Sequence, residues 1–210
     1  MATVLHIQAS PRGEESFSYR TAQAFLESYR KAHPGDRVRT LDLFAGTVPE
    51  FGLAVARGKY RILHGQEQTP AEKQAWKVVE ATIADFKQAD KYLISSPMWN
   101  FSIPYVLKQY IDVIVQPGYT FTYTAEEGYK GLVTGRPAML ILARGSDYPA
   151  GTEAAALDYQ RPYLEFILRF IGFTDIRTIL IEPTLAGGPA VADEKLAEAI
   201  RKARAEAQGF

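Results

Sequence analysis

Short apolar runs alternate with amphipathic stretches along the whole chain. Val4-Leu5-His6-Ile7 is β-rich, and residues 18–33 then place Ala22, Phe25, Leu26 and Tyr29 at helical spacing. Residues 37–43 alternate as a second strand. The following stretch, 44–68, carries Gly, Pro and scattered aromatics without a sustained period, and it is too long for a simple connector. Thr69-Pro70-Ala71-Glu72 opens a helix: Thr69 can cap free N–H groups, Pro70 suits the first turn, and Glu72 can bond back. Val78, Val79, Ile83 and Phe86 give that helix its apolar face.

A third strand is expected at 92–95 and a third helix at 104–115, with Tyr105, Val106, Tyr110, Val113 and Ile114. Residues 119–123 alternate like a short ribbon, and Gly128 and Gly131 punctuate the return to a fourth strand at 138–143. A helix over 159–171, a strand over 176–182 and an alanine-rich helix over 193–207 complete the chain. Five βα units with short, fully apolar strands predict a parallel sheet covered on both faces, since alternating strands and helices bury a sheet that way.

Three loops that follow strands hold unusual residues. The first, Ser10-Pro11-Arg12-Gly13 to Ser16-Phe17-Ser18, supplies hydroxyls, an arginine and the free N–H groups of a helix start, a ready anion site. It also reads as a polar turn with Ser16 or Ser18 as an ordinary N-cap. Pro97-Met98-Trp99-Asn100-Phe101 puts flat apolar groups where a chain should turn through solvent, which suits an aromatic ligand, or else makes Trp99 and Phe101 core plugs. Arg144-Gly145-Ser146 allows close backbone approach to a ligand, or is a glycine turn with a solvated arginine. Ligands of an open doubly wound sheet sit outside the carboxyl ends of the strands, where strand order reverses. In the flavodoxin-like order 2-1-3-4-5 all three loops converge on one crevice, and a single phosphate cradle there suits FMN rather than FAD.

At 210 residues and 47% hydrophobic residues, the chain can bury one substantial core, so one domain spanning 1–210 is expected. Lys plus Arg equals Asp plus Glu at 24 each, so no global field favours nucleic acid or anionic lipid. The absence of cysteine removes disulfides, thiolate metal sites and Cys nucleophiles together. No apolar stretch reaches membrane-spanning length and the N-terminus reads as a strand, which gives a cytoplasmic protein as the expectation. His6, His33 and His64 form no metal-ligating pattern: His6 is expected in the first strand, His33 at a helix end and His64 in the irregular stretch. No Ser/His/Asp set or carboxylate pair falls on a common face, so hydrolysis has little support and no protein residue is expected as a catalytic nucleophile.

The spacing of Ser10 to Ser16-Phe17-Ser18, the Pro97-Met98-Trp99-Asn100-Phe101 segment, Leu132-Val133-Thr134-Gly135, Arg144-Gly145 and Phe170-Ile171-Gly172 resembles the FMN-dependent NADH:quinone oxidoreductase and azoreductase family, over essentially the whole chain. The resemblance implies that Ser10, Ser16, Phe17 and Ser18 hold the phosphate and ribityl region of FMN. It implies further that Pro97, Met98, Trp99, Asn100 and Phe101 border the isoalloxazine and that Arg144, Gly145 and Ser146 lie along its pyrimidine edge. This chain departs from the family at Ala143, where a serine is usual, and at Ser146, which replaces the second of paired glycines; Asp147-Tyr148-Pro149 also differs. Phe101, Tyr123 and Phe170 are candidate aromatic walls for a site shared in turn by NADH or NADPH and a quinone or azo acceptor. The resemblance also implies a homodimer; independently, Phe44, Phe51, Leu53 and Tyr60, in a stretch with little periodicity, read as an association surface in which Tyr60 helps wall the partner's site, or else as an Ω-like loop packed on its own subunit. Two other readings stay open: an electron carrier of the flavodoxin type, and a non-catalytic interaction protein on the same fold.

Overall fold

β1 (Thr3–Gln8) lies inside a five-stranded sheet, between β2 (Arg37–Asp42) and β3 (Lys91–Pro97), and β6 (Ala138–Ala143) and β7 (Ile176–Ile181) extend the sheet beyond β3. Every neighbouring pair is parallel, giving the order β2-β1-β3-β6-β7. Counting only these five strands, this is the expected 2-1-3-4-5 order. The computed structural model describes residues 1–210.

Side-chain alternation along the strands divides the core in two. Val4, Leu93, Met139, Ile141, Ile179 and Ile181 face one side, where α1 (Phe17–Ala32) and α6 (Gly188–Glu206) bring Phe25, Leu26, Tyr29, Ala199 and Ala203. Leu5, Ile7, Tyr92, Ile94, Leu140 and Leu142 face the other. There α3 (Pro70–Lys87), α4 (Tyr105–Ile114) and α5 (Arg161–Ile171) supply Val79, Ile83, Phe86, Leu107, Tyr110, Leu164 and Leu168. Each fully buried Phe, Leu or Ile is worth about 1.5–3 kcal/mol relative to exposure, so both faces are held by apolar burial. No helix is long and apolar enough to cross a membrane.

The capping box at α3 forms as expected: Thr69 N donates to Glu72 Oε2 at 2.8 Å and Glu72 N to Thr69 Oγ1 at 3.3 Å. The antiparallel pair β4 (Phe121–Thr124) and β5 (Gly128–Gly131) realises the ribbon before β6. It docks tightly on the end of α5, for a Cβ on Gly131 would stand 2.2 Å from Gly172 N, while Val133 N donates to Ile171 O at 2.8 Å. That contact gives the 132–135 and 170–172 motifs a structural cause.

Three expectations need correction. The stretch 44–68 is not irregular throughout, because it contains α2 (Leu53–Leu63). Only Val55 and Gly58 of α2 are buried, and at Gly58 a Cβ would meet Gln68 Nε2 at 2.8 Å and the α3 carbonyl of Glu72 at 3.4 Å, so the helix approaches α3 closely at a glycine and leaves no apolar stripe to read. Within α3, Val78 is exposed, and Trp76 and Glu72 are buried in its stead. α6 begins at Gly188, ahead of the expected 193, with Pro189 in its first turn.

Candidate functional site

The adjacent strands β1, β3 and β6 end close together. Gln8 pairs with Ser95 and Pro97 with Ala143, while Ala9 N donates to Ser95 O at 2.9 Å and Met98 N to Ala143 O at 2.8 Å. The chain leaves β1 for α1 and β2 on one side and returns to β3 on the other, so the loops after β1 and β3 open at the reversal of strand order, where doubly wound sheets bind ligands.

The first loop folds into a short 3-10 turn, Gly13–Glu15, before α1. Gly13 takes φ +51°, a left-handed value that favours glycine. Ser10, Ser16 and Ser18 are all buried, and the hydroxyls of Ser16 and Ser18 lie 3.1 Å apart. Their remaining partners are long: Tyr19 N to Ser16 Oγ and Arg12 N to Ser10 Oγ, both at 3.4 Å. Ser16 is therefore the N-cap and Ser18 is not. Buried hydroxyls with distant partners, beside first-turn N–H groups that no helix can satisfy internally, form a donor set that fits one phosphate. Phe17 packs partly against the adjoining core. Arg12 stays largely exposed, with Glu15 at 3.6 Å.

In the second loop Trp99 and Phe101 are 36% and 49% exposed, so neither is a core plug. The turn closes on itself through Trp99 N to Ser102 O at 2.9 Å and Ser102 N to Trp99 O at 3.0 Å. Asn100 and Phe101 hold φ +47° and +68°, the only non-glycine residues of the chain in the left-handed region. Such backbone costs about 1–3 kcal/mol per residue and clusters at ligand sites. Phe101 pairs with no other aromatic ring, whereas Trp99 packs edge-on to Phe44 at 5.8 Å. The loop thus presents an unpaired ring beside a carboxamide.

The third loop departs from the sequence reading. Arg144 is neither solvated nor free to carry its charge along a ligand edge, because its side chain is buried between two carboxylates. It pairs with Asp158, places Nε 2.8 Å from Glu182 Oε2, and lies over the Tyr148 ring at 5.2 Å. Burial raises the Glu182 carboxyl above the usual range; Arg144 opposes that rise, while Asp158 and Asp147 add to it. The close approach at Gly145 is made by the segment after β7: a Cβ there would stand 3.0 Å from Leu185 Cδ1, and the Gly145 carbonyl accepts from Leu185 N and Ala186 N, both at 2.9 Å. Ser146 is exposed at the loop's rim.

The remaining aromatic candidates are not gathered at Phe101. Tyr123 and Phe170 belong to a cluster on the β4–β5 ribbon and α5, with Tyr123–Tyr129 at 4.9 Å and Tyr129–Phe170 at 5.4 Å. Tyr60 stands exposed on α2, stacked with His64 at 6.3 Å. Phe44 and Phe51 pack partly against the core, leaving Leu53 and Tyr60 as the exposed members of the expected association surface. His6 bonds Ser95 through Nε2 at 2.9 Å.

A cavity of about 690 Å³ shares only Trp99 and Asn100 with the three-loop crevice; Tyr105, Lys108, Tyr159 and Tyr163 also line it. It is an aromatic space beside the second loop and does not include the serine cradle. Two segments that touch the loops were missed in the sequence: Asp158-Tyr159-Gln160, and Thr184 to Gly188 after β7. The latter lies at the same sheet edge, and its adjacent Gly187 and Gly188 were a legible turn signal.

A family model described as flavodoxin-like fold matches residues 2–207. A protein of Nitratidesulfovibrio vulgaris (strain DP4) named FMN-dependent NADH:quinone oxidoreductase is 54% identical over 210 residues, all of both chains. Among solved structures, an azoreductase from Bacillus anthracis str. Sterne is similar with TM-score 0.91 and 34% identity over the whole of both chains. An FMN-dependent NADH-azoreductase from Bacillus anthracis str. Ames Ancestor, in complex with FMN, is similar with TM-score 0.88 and 29% identity, covering 99% of this chain and 98% of the other.

Proposed function

The chain belongs to the flavodoxin-like fold family, and on that premise we propose that it is an FMN-dependent oxidoreductase passing two electrons from NADH or NADPH to quinones or azo compounds. The observation that carries the reading is the pairing, at one sheet edge, of a buried serine cradle with a strained loop that exposes Trp99 and Phe101. The relatives named for this activity match along the full chain.

Bound FMN would supply the redox chemistry, taking a hydride from the nicotinamide and returning two electrons to the acceptor. The chain's own residues bind, orient and shield. Ser10, Ser16 and Ser18 hold the phosphate with the first-turn N–H groups of α1, as charge-assisted bonds are the stronger kind. Phe17, Pro97 and Met98 close the apolar approach, and Asn100 offers an amide to the polar edge of the ring system. Gly145 and Ser146 border that edge with backbone and hydroxyl, while the Arg144 guanidinium acts through the fold. Phe101 gives a flat apolar wall against which a nicotinamide and then a quinone or azo compound can lie. A single such wall supports alternate occupancy, that is, a ping-pong order.

A homodimer completes this reading. Tyr123, Tyr129 and Phe166 are 60%, 66% and 62% exposed, with Phe170 linking Phe166 on α5 to the Tyr123–Tyr129 pair on the ribbon, and soluble chains rarely leave such patches bare. In a dimer, Tyr123, Phe170 and Tyr60 become candidate walls of the neighbouring subunit's site.

Steady-state turnover of FMN-loaded protein, with NADH and NADPH against a panel of quinones and azo dyes, tests the proposal. Parallel lines in double-reciprocal plots are expected. Absence of turnover with every acceptor overturns the enzyme reading, and intersecting lines overturn the ping-pong order.

A further inference from the structure

One tripeptide, Asp158-Tyr159-Gln160, bonds to the second and third loops and belongs to neither. Tyr159 N donates to Phe101 O at 3.0 Å, which ties the strained turn to the approach of α5. Gln160 is completely buried, and its Nε2 lies 3.5 Å from Ser96 O, at the long limit of a hydrogen bond. The Asp158 carboxylate turns the other way: one oxygen pairs with Arg144 and the other accepts Gln160 N at 3.0 Å and Arg161 N at 3.1 Å.

A carboxylate that accepts the N–H groups leading into a helix and pairs with an arginine is by itself ordinary fold stabilisation. Two features go beyond that. The backbone of Asn100 and Phe101 sits in a costly region and persists only where its surroundings over-determine it. Outside the turn's own Trp99–Ser102 bonds, the Phe101 carbonyl is held by the tripeptide. In addition, Asp158 grips the side chain that anchors the third loop, so one residue sets the separation of two loops arising from β3 and β6.

We infer that Asp158 is a positioning residue: through Tyr159 and Arg144 it holds the Trp99-Asn100-Phe101 turn in register with the Arg144-Gly145-Ser146 loop, and so shapes the slot for the flavin ring. This rests on the flavin reading above. Loss of the Arg144 contact would loosen the loops in concert, and the ring would be held less tightly with its environment changed.

Asp158→Asn is the probing variant, because the amide oxygen can still accept from Gln160 N and Arg161 N but the side chain cannot pair with Arg144 as a charge. The Kd for FMN should rise about tenfold, with a shifted visible spectrum and potential of the bound flavin, while the far-ultraviolet spectrum stays unchanged. Phe101→Gly, which relaxes the turn, provides a second handle. In the double variant the effect of Asp158→Asn on the FMN Kd should shrink at least threefold, since coupled sites are non-additive. A variant with lower thermal stability but wild-type flavin affinity, spectrum and potential, or effects at 158 and 101 that simply add, overturns the positioning role. Wild-type protein that fails to bind FMN overturns the flavin reading instead, so the two failures are distinguishable.

Discussion

Arg144 Nε stands 2.8 Å from Glu182 Oε2 while the same guanidinium holds Asp158, so one buried cation is enclosed by two carboxylates. Removing one partner of a buried ion pair strands the others, at a cost of about 3–5 kcal/mol. Arg144→Ala should therefore lower the unfolding free energy by that amount in urea titrations of the flavin-free protein. Glu182→Gln should lose far less, because burial already disfavours the Glu182 charge and Asp158 still neutralises Arg144. Equal losses in the two variants would contradict this arrangement.

Ser18 is buried, bonds only the Ser16 hydroxyl and caps nothing. Ser18→Ala should weaken FMN binding by about 1.5–3 kcal/mol, the range for a hydrogen bond to a charged group, with little loss of stability. Ser16→Ala should add the loss of an N-cap, about 1 kcal/mol. Calorimetric titration with FMN and a melt of the flavin-free protein separate the two contributions. An unchanged affinity in Ser18→Ala would return the serines to purely local roles.

Phe101 holds φ +68° with half its surface exposed. A left-handed residue costs roughly 1–2 kcal/mol, so Phe101→Gly relieves strain while giving up little burial. Stability should change by less than about 1 kcal/mol after glycine's entropic cost, yet KM for quinone acceptors should rise. A sharp fall in melting temperature with unchanged KM would make the ring structural.

The pattern of apolar runs carried the five strands and the loops that follow them because parallel strands buried on both faces leave continuous hydrophobic signals; their order came from the resemblance. α2 was hidden because it buries only Val55 and a glycine, and Val78 was misplaced because a helical stripe leaves its rim positions ambiguous. The serine cradle and the exposed Trp99 and Phe101 were legible since such residues are unusual in those places. The destination of Arg144 was not, because its partners Asp158 and Glu182 lie 14 and 38 residues away and have no local sequence signature.

Burial lowers the His6 imidazole from 6.5 to about 4, and Arg30 adds to the shift. Between those values the unfolded chain binds a proton that the folded one refuses, so stability is full above 6.5 and is lost as pH falls towards 4. At about 1.4 kcal/mol per pH unit, the loss from this group reaches roughly 3 kcal/mol near pH 4. His6→Gln should flatten denaturant midpoints measured across that window. An equally steep profile in the variant would assign the pH dependence to other groups.

Anaerobic half-reactions test the central claim most directly. Protein loaded with FMN and freed of excess cofactor is mixed with one equivalent of NADH, then with one equivalent of a soluble quinone, while the flavin's visible absorption is followed. NADH should bleach the bound flavin in a two-electron step, and the quinone should restore the full absorption. Protein that retains no FMN, or bound flavin that NADH leaves oxidised, would contradict it.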